Sequence, residues 1–110
     1  MSATRVVRRG RAERDIDEAA EHYFAEGGLA LELRFIDALE PAMRNVAAHG
    51  STGSPRYASE LNLPGLRFWP VKRFPYLIFY VEHHDCIDVL RVLHGAMNIP
   101  AWLADADDGG

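Results

Sequence analysis

Leu66-Arg67-Phe68-Trp69-Pro70-Val71-Lys72, Phe74-Pro75-Tyr76-Leu77-Ile78-Phe79-Tyr80-Val81-Glu82 and Ile87-Asp88-Val89-Leu90-Arg91-Val92-Leu93-His94 follow one another in the second half of the chain, separated only by Arg73 and by His83-His84-Asp85-Cys86. All three runs are rich in aromatic and β-branched residues and alternate as half-buried strands do. Neither connection is long enough to hold a crossover helix, so the three strands must turn back on themselves as an antiparallel meander. Pro70 has no N–H for a ladder, which places the first run at a sheet edge or a bulge. His83-His84-Asp85 reads as the solvated turn of a hairpin, because three adjacent residues in a tight turn cannot all face one metal ion.

Upstream of these strands the period changes. Over Arg11 to Ala25, Ala12, Ile16, Ala19, Ala20, Tyr23 and Phe24 fall on one stripe of a helix, while Glu13, Arg14, Asp17, Glu18 and Glu21 face away. Gly27-Gly28 ends that helix. A second helical pattern, Leu29 to Ala48, carries Leu29, Leu31, Leu33, Phe35, Ile36, Leu39, Met43 and Val46 on an arc wide enough to meet the first helix and a second surface. Pro41 in its interior predicts a kink or a split. Thr4 to Arg9 reads as a short strand, and His49 to Arg56 as a loop of turn formers. The order is β-α-α-β-β-β: an α+β fold in which a helical hairpin lies on one face of a small, mainly antiparallel sheet.

The chain has 110 residues, 48% of them hydrophobic and 25% charged. That suits one domain over residues 1–104, followed at 105–110 by an acidic tail expected to be disordered. A single cysteine, Cys86, excludes an internal disulfide and a cysteine-built zinc cluster. Together with the lack of an export-type apolar segment or a membrane-length run, it leads us to expect a cytoplasmic protein with no membrane partner. The net charge is −4, unsuited to a general polyphosphate ligand. Arg5, Arg8, Arg9, Arg11 and Arg14 nevertheless crowd the start of the chain, and Lys72 is the lone lysine. Arginine favours planar contacts with carboxylates and phosphates, although codon composition also produces such a bias.

Few residues suggest chemistry. Arg91, in line with Ile87, Val89 and Leu93 by alternation, either aims at a phosphate or partner carboxylate or pairs internally with an acid from the helices. His94, at a strand end, is a candidate general base or a hydrogen-bonded structural histidine. Arg67, Lys72 and Arg73 bracket the Phe68-Trp69-Pro70-Val71 strand, where bases interleaved with rings resemble a nucleic-acid surface or simply a packed strand. No metal-ligand spacing, phosphate loop or nucleophile elbow is present, and no cofactor is expected.

Three segments carry a family resemblance: Leu66-Arg67-Phe68-Trp69-Pro70-Val71, Tyr76-Leu77-Ile78-Phe79-Tyr80, and Val89-Leu90-Arg91-Val92-Leu93-His94-Gly95-Ala96 followed by Ile99-Pro100. In this element order they resemble the ParE branch of the RelE/ParE toxin superfamily, the toxin halves of bacterial toxin–antitoxin modules, often labelled plasmid stabilisation proteins. The resemblance spans about Val6 to Leu103. It implies a toxin that poisons DNA gyrase by protein–protein binding and is neutralised by a ParD-like antitoxin, with operator DNA met only through that antitoxin. The alternative it implies is a ribosome-dependent mRNA endoribonuclease of the RelE type, using Arg67, Arg91 and His94. An inert member that only forms the antitoxin complex is a third possibility. RelE-type nucleases carry a tyrosine after the last strand, whereas Ala96 to Leu103 has none, and the net acidity suits a ribosome ligand poorly. Both departures favour the gyrase-directed branch. On this reading the target is met by Arg67, Trp69, Lys72, Arg73, Arg91 and His94, and the antitoxin by Arg5, Arg8, Leu31, Phe35 and Leu39.

Overall fold

The computed structural model describes residues 4–104, so the tail expected at 105–110 lies outside the described residues. The elements are β1 (Arg5–Arg8), α1 (Gly10–His49), a 3-10 turn (Gly50–Thr52), β2 (Leu66–Pro70), β3 (Tyr76–Glu82), β4 (Cys86–His94) and α2 (Ile99–Ala104). The sheet runs β1-β4-β3-β2, with β2, β3 and β4 antiparallel as the meander requires and β1 parallel to β4.

Helix α1 consists of two arms. Gly27 (φ −144°, ψ 15°) and Gly28 (φ 73°, ψ −167°) break it, and a residue with φ near +73° is cheap only without a Cβ. Pro41 does not split the second arm as expected. Its helical dihedrals continue because Pro41 and Asp37 both lie on the exposed face, where water satisfies the carbonyl that loses its donor.

Two cores flank the sheet. On the helix side, Ala12, Ile16, Ala19 and Ala20 of the first arm and Phe35, Leu39, Ala42 and Val46 of the second pack on Tyr76, Ile78, Tyr80, Ile87, Val89 and Val92. The alanines keep the first arm close to the strands. The other face, for which the sequence offered no cover, is roofed by Ile99 and Leu103 of α2 and by Tyr57, Leu61 and Leu63 of the β2 approach, over Leu66, Phe79 and Leu93.

Regular alternation fails within β4. Phe79 pairs with Arg91 and Tyr80 with Val89, so Leu90 is an extra residue in a β-bulge. Ile87, Val89 and Val92 therefore share the helix side, while Arg91 and Leu93 turn to the other, which corrects the facing read from uninterrupted alternation.

Local anchors fix the remaining joints. The Tyr80 hydroxyl donates to the Gly50 carbonyl at 2.5 Å, and an added Cβ at Gly53 would collide with that hydroxyl, so glycine is dictated there by close approach. Ser54 bridges to Phe68 along the outer edge of β2. The Asp88 carboxylate accepts from Arg9 Nη2 and contacts His83 Nε2, both at 2.9 Å, tying the β1–α1 joint to β4. The Arg9 hydrogen bond outweighs burial and holds the Asp88 carboxyl below the usual carboxylate range. Among the described residues no helix is long and apolar enough to cross a membrane.

Candidate functional site

Arg91 is 2% exposed. Its Nε and Nη2 donate to the two carboxylate oxygens of Asp15 at 2.7 and 2.9 Å, a bidentate fork that only a guanidinium can form. Nη1 donates to the Trp102 carbonyl at 2.9 Å, and the guanidinium carbon stands 5.8 Å from the centre of the Trp102 ring. Asp15 also accepts the Val92 N–H, which lies beyond the end of β1 on β4. The internal pair with a helical acid is therefore the arrangement Arg91 adopts, and the outward-aimed guanidinium is not. It clamps α1, β4 and α2 together.

Arg67 and His94 lie far apart on the helix-side face. Arg67 is opposite Tyr80 on β3 and donates to the Gly53 carbonyl at 2.8 Å. His94 is opposite Tyr76, edge-on to its ring at 5.3 Å, and its Nδ1 accepts the Ala96 N–H. Tyr76 and Tyr80 are separated by four strand residues, roughly 13 Å. Arg91, opposite Phe79, leaves the other face. Arg67, Arg91 and His94 do not converge on one scissile phosphate.

Trp69, Lys72 and Arg73 do come together. Lys72 and Arg73 line a groove of about 580 Å³ between the β2–β3 turn and the second arm, with Leu31, Arg34, Asp37, Ala38, Pro41 and Phe74. A hollow of about 320 Å³, lined by Trp69, Pro70, Ala42 and Asn45, shares Ala38, Pro41 and Lys72 with it. Arg73 holds φ at 71°, an unusual cost for a residue with a side chain. Arg34 was missed in the sequence analysis. Its helical spacing from Leu31 and Ala38 was the available signal.

The residues assigned to an antitoxin divide. Phe35 (0% exposed) belongs to the helix-side core, ringed by Tyr23, Phe74 and Tyr76, and is not offered to a partner, whereas Leu39 (4%) is held in the same core and reaches only the floor of a groove beside β1. The wide arc of the second arm misled here, because its middle faces the sheet. Leu31 is half-buried, and Arg5 and Arg8 are exposed on β1. The large apolar residues that the second arm turns outward are Leu29 (59%), Leu33 (49%) and Ile36, in line one turn after another. They run into a groove of about 400 Å³ between both arms and β1, lined by Val6, Arg8, Ile16, Ile36, Leu39, Glu40 and Met43.

Three tyrosines brace this architecture from inside. Tyr23, Tyr76 and Tyr80 all have their phenol pKa raised above 10.0, chiefly by burial. They act as neutral packing groups at any ordinary pH.

This arrangement of a two-armed helix over a β1-β4-β3-β2 sheet is shared with known proteins. A solved structure described as the chromosomal ParDE TA system from P. aeruginosa superposes with a TM-score of 0.70 at 18% identity, covering 84% of this chain and 96% of that one. A comparison with curated proteins returns no match. The family model for the ParE toxin of the type II toxin–antitoxin system parDE matches residues 6–99, nearly the whole described fold, and the chain belongs to the ParE toxin family.

Proposed function

We propose that this chain, as a single cytoplasmic toxin domain, inhibits DNA gyrase by binding it and is silenced by a ParD-like antitoxin. The observation that carries this reading is the enclosure of Arg91. The residue that a phosphate-directed nuclease would need free is bidentate to Asp15 and nearly out of solvent. With Arg67 and His94 on a different face from Arg91 and far from one another, these three candidates do not form an acid–base pair about one phosphate, which supports a binding role.

The antitoxin's seat on this reading is the outward ladder of Leu29, Leu33 and Ile36 and the groove beyond it. These positions, extended to Glu40 and Met43, repeat at alternating four- and three-residue spacing, the seam an amphipathic helix lays its apolar face against. Exposed Arg5 and Arg8 at the rim suit acidic flanks on that helix. Such a segment would order only on binding, and the apolar area it buries offsets that ordering.

The test is a supercoiling assay with purified gyrase, run beside primer extension on cellular messages after expression of the chain. The expected outcome is lost supercoiling that the antitoxin restores, with messages intact. Cleaved messages and normal supercoiling would overturn the proposal.

A further inference from the structure

We propose that the groove between the second arm of α1 and the β2–β3 turn seats an acidic segment of the target protein that carries one apolar anchor. This deepens the gyrase-binding reading and rests on it. The second arm has three faces. At 100° per residue, Phe35, Leu39, Ala42 and Val46 point into the core, and the Leu29-Leu33-Ile36 ladder lies on one flank. Leu31, Arg34, Ala38 and Pro41 lie on the other flank, roughly 150° round the helix from that ladder. A partner laid along the ladder leaves this second flank uncovered.

The chemistry of the flank is specific. Arg34, Lys72 and Arg73 meet there with Asp37 as the one acid among the lining residues, on a molecule whose net charge is −4. Among the described residues none of the three cations has an ion-pair partner, although the chain has more acids than bases. Cations left unpaired around an apolar floor of Leu31, Ala38 and Phe74 are complementary to a carboxylate-bearing segment with an aliphatic or aromatic side chain to bury. Three cations and a narrow apolar floor fit a nucleic-acid backbone less well, since such ligands are tracked by longer basic stripes. The left-handed backbone at Arg73 is the further sign that this turn is shaped for something other than its own stability.

The experiment reverses two charges on the exposed turn, Lys72→Glu with Arg73→Glu, in the full chain. Circular dichroism and antitoxin binding confirm the fold, and gyrase inhibition is titrated at two salt concentrations. The expected result is at least a tenfold loss of inhibitory potency, unchanged antitoxin affinity, and weaker inhibition by the parent chain at the higher salt. Ala38→Trp, which fills the floor without altering charge, gives the same loss. Undiminished inhibition by the charge-reversed chain overturns the inference and leaves the gyrase reading standing. Lost antitoxin binding with inhibition retained assigns the groove to the antitoxin and also overturns it. Loss of binding to duplex DNA alone, in step with inhibition, would point to a nucleic-acid occupant instead. A parent chain that never inhibits gyrase removes both proposals together.

Discussion

Arg91 shows how much one side chain can decide. Its guanidinium joins two helices to the central strand, so truncation would strand the nearly buried Asp15 carboxylate without its countercharge. Arg91→Ala should cost about 3–5 kcal/mol, measured by urea denaturation. Arg91→Lys should recover only part of that, because an ammonium cannot reproduce the two parallel bonds to Asp15 and a third to the Trp102 carbonyl. Lost toxicity in Arg91→Ala would therefore report a loosened fold rather than a missing contact. The residue's charge and strand were legible in the sequence, and so was an internal pair as one of its two options. Its face was not, because the inserted Leu90 leaves no mark in a pattern of apolar residues.

At the scale of elements, the Gly27-Gly28 break was legible because paired glycines stop a helix directly, although the pair reaches an extended positive-φ turn rather than the left-handed cap that ends many helices. Gly28→Ala should destabilise the hairpin by about 1–3 kcal/mol, read as a lowered denaturation midpoint, since nothing crowds the site but its φ of 73° with ψ of −167° is a backbone region open almost to glycine alone. Pro41 misled for a complementary reason. Its cost depends on where the orphaned carbonyl points, and composition does not carry that information. Helix α2 went unseen because six residues give no helical period to detect. Its docking is decided by long-range contacts of Ile99 and Leu103 with the far side of the sheet.

Across the whole molecule, aromatic rings join the helical layer to the strands, with Tyr23 and Phe35 set edge-on or tilted against Phe74 and Tyr76 at 5.0 to 6.2 Å. The fold keeps Tyr23, Tyr76 and Tyr80 protonated above the unfolded value of 10.0. Their contribution is therefore complete below pH 10 and is lost as pH rises through the raised values. Absorbance at the phenolate band should rise together with loss of far-UV circular dichroism in strongly alkaline solution; early ionisation of all three without unfolding would contradict this account. The target and antitoxin surfaces were only partly legible at this scale. The alternation that flagged Trp69, Lys72 and Arg73 was local, whereas separating the ladder from the core residues Phe35 and Leu39 required knowing where the sheet lies.

The extra residue in β4 also bears on how this strand can shorten. With Leu90 spliced out, Val89 and Arg91 would still stand opposite Tyr80 and Phe79, and every later side chain would keep its side. Splicing out Val92 instead would turn Leu93 and His94 over and empty both layers at once. The strand thus holds one spare link, and its neighbours downstream are not interchangeable with it.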